Sequence, residues 1–218
     1  MEHTDNQIIL RGYLKTQPEF SHENHRQRFF RFYMEVPRLS GTMDCLPVIV
    51  QEQTIQSFDF CEGAMVTVTG TVRSHNIVSN GKRHLLVFVF ASSLFAETGS
   101  PINEVILRGI LCKEPIFRRT PLGREICDMM LAVPRNFHRA DYIPCILWGK
   151  TAQDGSALHT RDTIEIYGRL QSRIYTKVTE TGQEERTAYE VSALSAQVPD
   201  IFPKNPTAGT ELVSGPAF

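Results

Sequence analysis

Residues Asn6–Gly12 read NQIILRG, and residues Asn103–Gly109, 97 positions later in a chain of 218, read NEVILRG. The same offset lays Leu14 on Leu111, Pro18 on Pro115 and Phe20 on Phe117. It also lays Val36-Pro37-Arg38 on Val133-Pro134-Arg135, Asp44 on Asp141, Pro47 on Pro144 and Ile49 on Ile146, all without a gap. A one-residue adjustment then brings Gly70 onto Gly168 and Ser74 onto Ser172. A register held this long marks a tandem duplication. The expected units are residues 1–98 and 103–198, joined by a linker at 99–102 where Gly and Pro punctuate, with a flexible tail at 199–218.

Within each copy the apolar residues alternate with period two. MVTVTGTV sets Val66, Val68, Gly70 and Val72 on one face and Thr67, Thr69 and Thr71 on the other; TIEIYGRL does the same with Ile164, Ile166, Gly168 and Leu170. A glycine in mid-strand implies a bend or bulge. FFRFYMEV points Phe30, Phe32, Met34 and Val36 inward and leaves Phe29, Arg31, Tyr33 and Glu35 outward, with the outward aromatics expected to pack between the two copies. Hairpin turns are signalled at Ser79-Asn80-Gly81 and Thr181-Gly182. Five strands per copy are expected, with one short helix at most, near Glu52–Phe58 and Lys150–Leu158. The expected fold is all-β, two tandem five-stranded barrels of the OB type.

Lys plus Arg total 23 and Asp plus Glu 24, a net charge of −1. This argues against a generally basic nucleic-acid coat and leaves a local basic groove open. The five cysteines, Cys45, Cys61, Cys112, Cys127 and Cys145, include no CxxC pair and read as buried free thiols in a reducing cytosol. The polar N-terminus and the lack of a long apolar run lead to an intracellular, cytoplasmic expectation, with no membrane contact. There is no Walker loop, nucleophile elbow or metal-ligand cluster, and His22-x-x-His25 is a two-ligand fragment at best. An enzyme is therefore not expected, nor any cofactor or metal.

The second copy contains NEVILRGILCKEP, then LAVPRNF, then DYIPCILWGKTAQ, then DTIEIYGRLQSRIY. Over residues 103–198 this resembles the bacterial single-stranded DNA-binding proteins. The opening strand, the aromatic-Gly-Lys-x-Ala pattern at Trp148–Ala152 and the GxLxxRxW-like stretch Gly168–Tyr175 carry the resemblance in order. It implies base stacking on Phe137, Tyr142, Trp148 and Tyr175. Arg135, Arg139, Lys150, Arg169, Arg173 and Lys177 interleave with these aromatics as candidate phosphate contacts. Aromatic platforms in a basic groove suit single strands, at roughly 1–3 kcal/mol per stacked base.

At the corresponding positions the first copy carries Ser40, Cys45, Gln51 and about Ile77, none aromatic. The resemblance further implies a homodimer presenting four barrels, coating of single-stranded DNA in replication, recombination or repair, a nucleoid location and partner proteins from those processes. Such families often recruit partners through an acidic tail tip; here the end, PKNPTAGTELVSGPAF, offers only Glu211. The rival reading is an accessory OB module of replication restart, similar to primosomal replication protein n, which the degenerate first copy also suits.

Overall fold

The computed structural model describes residues 5–56, 58–79, 82–179 and 182–199. The first half runs β1 (Asn6–Leu14), β2 (Glu19–Asn24), β3 (Gln27–Pro37), β4 (Met43–Gln51), α1 (Glu52–Ile55), β5 (Met65–Ser79) and β6 (Lys82–Ala96). The second half repeats it as β7 (Ile102–Leu111), β8 (Ile116–Arg119), β9 (Glu125–Arg135), β10 (Arg139–Trp148), α2 (Gly149–Gly155), β11 (Thr163–Thr179) and β12 (Gly182–Gln197).

Five strands close each barrel. In the first half β3 pairs with β4, β4 runs parallel to β6, β6 pairs with β5, β5 with β1, and β1 returns to β3. The second half closes in the same order through β9, β10, β12, β11 and β7. Each half also carries a sixth strand, β2 or β8, added to the edge of β3 or β9 and exposed throughout. No buried face is imposed on it, so its sequence shows no alternation to read.

The alternating residues fill the barrels as their period requires. Val66, Val68, Val72, Phe32, Met34 and Val36 are buried in the first, and Ile164, Ile166, Leu170, Leu107, Leu131 and Leu147 in the second. The glycine bulges are present: register shifts fall at Thr69/Gly70 and Tyr167/Gly168. A Cβ at Gly70 or Gly168 would overlap the carbonyl oxygen of Phe90 or Ser192, which is why the bend demands glycine. The expected turn tips at Asn80, Gly81 and Thr181 lie outside the described residues, as does the tail from residue 200.

Two expectations are corrected. Phe29 is not an outward surface between the halves; it is 6% exposed, stacked under His22 at 4.7 Å and set 6.0 Å from Phe90 of its own half. The β2 edge strand that carries His22 covers it. Among the cysteines only Cys127 and Cys145 are buried; Cys45 and Cys112 are partly covered and Cys61 is exposed on the loop after α1. Burial pushes the Cys145 thiol well above its ordinary pKa.

The halves join through the repeated phrase itself. β1 and β7 pair antiparallel from Asn6↔Leu107 to Arg11↔Ile102. The register centres on Ile8↔Val105, and Val105 is the copy of Ile8, so a pseudo-twofold axis passes between two buried equivalents. The resulting twelve-stranded order, β2-β3-β4-β6-β5-β1-β7-β11-β12-β10-β9-β8, reads the same from either end.

Two buried carboxylates clamp the seam on either side of this axis. Asp44 accepts a fork from Arg38 at 2.8 and 2.6 Å and the backbone N–H of Ser172 at 2.7 Å. Asp141 accepts the N–H of Ser74 at 2.7 Å, with Arg135 at 3.4 Å and Arg73 at 3.8 Å. Only the first clamp is complete, since Oδ2 of Asp141 has no hydrogen-bond partner among the described residues.

Candidate nucleic-acid interface

The outer faces of β9, β10, β12 and β11 form the floor of an open groove of about 780 Å³ on the second half. Alternation sets Tyr142, Pro144, Ile146 and Trp148 of β10 on this face. It does the same for Arg169, Gln171, Arg173, Tyr175 and Lys177 of β11. Trp148, the last residue of β10, is half-buried, and its Nε1–H donates to Ser192 Oγ at 3.0 Å. That bond fixes the ring in the groove, and its exposed part meets a ligand in a set orientation.

The groove is electropositive although the chain is not. Arg38, Arg118, Arg124, Arg169 and Arg173 line it with one lining carboxylate, Glu190, while Asp44 and Asp128 behind the lining pair with Arg38 and Arg118 at 2.6 Å each. Arg169 Nε is buried without a hydrogen-bond partner among the described residues, a donor available to an acceptor in the groove. Arg173 lies 3.8 Å from Glu190 and 5.6 Å over the ring of Tyr175, which links the groove to the next aromatic on β11. Gln171 donates to Glu190 Oε1 at 2.9 Å, the same oxygen that faces Arg173, so the one lining carboxylate is already engaged.

The residues singled out from sequence do not all converge. Trp148, Arg169 and Arg173 line the groove. Tyr175, 37% exposed, and Lys177 continue the same face of β11. Tyr142, 46% exposed, continues the face of β10, and its N–H donates to Ser74 Oγ of the first half. Lys150 is exposed on α2 beside Thr151, which lines the groove. Phe137 and Arg139 stand at the exposed β9–β10 turn, where Phe137 and His138 hold φ of 63° and 54°. Arg135 is turned to Asp141 and is not among the lining residues.

Three lining arginines were missed. Arg118 and Arg124 flank the Thr120–Gly123 turn between β8 and β9, where Gly123 has φ 77°. The run RRTPLGR, a turn signal bracketed by cations, was the available clue. Arg38 comes from the other half, and no local pattern announces it.

The same face of the first half is closed. Phe29 stands where Ile126 stands in the second, and Gln51 replaces Trp148 in the matching cross-strand pair. Phe90 stands where Ser192 does, opposite Thr71 and Ile49 as Ser192 is opposite Arg169 and Ile146. His22 stacks on Phe29, and Arg73 covers Phe90 at 5.0 Å. Rings of its own fill the space that the second half leaves open. Arg28, on the other face of β3, lies over Phe20 and Phe30 and is held by Glu52 at 2.6 Å.

Among the described residues, no three His, Cys, Asp or Glu side chains are grouped to hold a metal, and no helix is long and apolar enough to cross a membrane.

Comparison with known proteins is consistent with this geometry. Residues 102–199 match the family model described as "Single-strand binding protein family". Single-stranded DNA-binding protein B of Bacillus subtilis is 38% identical over 81 residues, covering 34% of this chain and 71% of that protein. The single-stranded DNA-binding protein of Bacillus cereus is 34% identical over 111 residues, 48% of this chain; the chain thus spans 62% of the length of that relative. The crystal structure of wild-type single-stranded DNA binding protein from Thermus aquaticus superposes with a TM-score of 0.75 at 21% identity, over 94% of this chain and 98% of that one, a likeness of fold. A barrel that opens with NEVILRG, carries the second-half groove and matches these relatives makes this chain a member of the single-strand binding protein family.

Proposed function

We propose that the chain binds single-stranded DNA along the second-half groove, with little sequence preference. The observation that carries this is the groove itself, a Trp148 face fixed among arginines that outnumber the single lining carboxylate. Bases stack on Trp148, then on Tyr175 along β11 and Tyr142 along β10, with Phe137 at the exposed turn. Arg169, Arg173, Lys150, Lys177 and Arg139 meet phosphates. Arg135 serves the seam. In this reading residues 1–98 and 103–198 act as two units, and the first supplies assembly surface. A homodimer then forms over the outer face of the central sheet, where Ile9, Ile106, Ile110 and Tyr167 are 39–44% exposed. Such a coat serves replication, recombination or repair.

The test uses the single tryptophan. Oligo-dT titrated at several salt concentrations should quench Trp148 fluorescence. Affinity should fall with salt at a log–log slope of about −0.7 per phosphate contact. Absence of a quench, or duplex bound as tightly as single strand, would overturn the proposal.

A further inference from the structure

We infer that the DNA groove of the second half is a two-copy site, completed by Arg38 from the half whose own groove is closed. This rests on the function proposed above and adds a residue that neither half shows alone.

Arg38 follows the last β3–β4 pair, Pro37↔Met43, in the first half, yet it lines the second half's groove together with Trp148, Arg169 and Arg173. A guanidinium has five N–H donors. Nε donates to Asp44 Oδ2 at 2.8 Å, and Nη2 donates to Asp44 Oδ1 at 2.6 Å and to the carbonyl of Ser172 at 2.9 Å. The two hydrogens on Nη1 have no partner among the described residues. The buried fork on Asp44 raises the pKa of Arg38 further and fixes the plane of the guanidinium, whose side chain is only 19% exposed. A cation with spare donors, pinned at a groove wall, is built to meet a phosphate at little entropic cost. Ser172, which receives Arg38, is bracketed by Gln171 and Arg173, both lining the groove. A strand leaving Trp148 over Arg173 therefore meets the seam next.

The pseudo-twofold axis supplies the control. Arg135 is the copy of Arg38 and reaches the copy of Asp44. On its side lie Arg73 and the Phe29–Phe90 face, whose rings occupy the places that Ile126 and Ser192 hold beside Trp148. Both arginines reach the seam carboxylate of their own half, Arg38 through a full fork and Arg135 through one contact at 3.4 Å, and they border different grooves.

The experiment compares wild type, Arg38→Ala and Arg135→Ala in oligo-dT titrations across salt, with thermal melts of each. Arg38→Ala should weaken binding about tenfold and flatten the salt slope by about 0.7. Arg135→Ala should change affinity by less than about twofold at unchanged slope, though it too lowers the melting temperature. An unchanged slope for Arg38→Ala, or equal loss in both variants, overturns the inference. Failure of wild type itself to bind overturns the function proposed above. Should Arg38→Ala not fold, arginine-directed labelling of wild type by phenylglyoxal, read by mass spectrometry, decides the matter. Oligo-dT should protect Arg38 and leave Arg135 labelling at its free rate; equal behaviour of the two rejects the two-copy site.

Discussion

At the scale of residues, the bond made at position 51 or 148 is one clear difference between the two halves. Trp148 is anchored through Nε1 to Ser192, while Gln51 at the same place spends its amide on Gln27. Trp148→Ala should therefore weaken oligo-dT binding by about 5- to 150-fold, the equivalent of about 1–3 kcal/mol. Gln51→Ala should leave affinity within about twofold, because no stacking contact of that size is lost. Anisotropy of a labelled oligonucleotide measures both. Trp148, Arg169 and Arg173 were legible in the sequence because a strand's period decides which residues share a face. Arg38 and the true setting of Arg135 were not. Both are fixed by buried carboxylates whose remaining partners, Ser172 and Ser74, lie in the opposite half. Phe29 was misjudged for a related reason. The period shows which face it occupies, and only the covering strand decides whether that face is wet.

At the scale of elements, the long strands were readable from alternation and the edge strands were not. β5 and β11 must bend to serve both the barrel and the arms beyond it, and Gly70 and Gly168 are where they do so. Gly168→Val should lower stability by about 1–3 kcal/mol through overpacking against the Ser192 carbonyl, seen as a reduced denaturation midpoint. β1 offers a pH-dependent contact at the end of the first half. Arg11 donates to Thr67 at 2.9 Å, Thr67 donates to Glu97 at 2.7 Å, and Arg11 pairs with Glu97 at 2.8 Å. The hydrogen bonds from Thr67 and Arg11 hold the Glu97 carboxyl below its ordinary pKa. A depressed carboxyl stabilises the fold above its unfolded pKa and loses that contribution as pH falls through the folded value. Melts of wild type should thus exceed those of Glu97→Gln at pH 7, and the two should converge toward pH 3. A constant difference across that range would remove Glu97 from the account.

At the scale of the molecule, the seam governs stability and the central sheet governs assembly. Asp44 is fully satisfied and Asp141 is not. Asp44→Asn should cost about 3–5 kcal/mol, as expected when one partner of a buried pair is removed. Asp141→Asn should cost distinctly less, since its Oδ2 has no bond to lose. Equal midpoints in chemical denaturation would show that the two clamps carry the same load. For assembly, light scattering should return twice the 24.7 kDa of the chain. Ile106→Arg, placing a charge on the open face of the sheet, should return it once. Across the seam Tyr189 shows how close the halves sit: burial and the nearby Tyr33 and Cys45 push its phenol up to about 12.

The pairing of NQIILRG with NEVILRG has a genetic consequence. In an assembly of identical subunits every substitution appears on both sides of the axis, so a groove cannot be filled on one side and kept open on the other. Here the axis runs through a single chain, and each side mutates alone. Phe29 and Phe90 were free to fill one groove while Ile126 and Ser192 left its twin open around Trp148. Placing the two strands that pair at Ile8 and Val105 in one polypeptide is what makes an asymmetric protein possible on a symmetric frame.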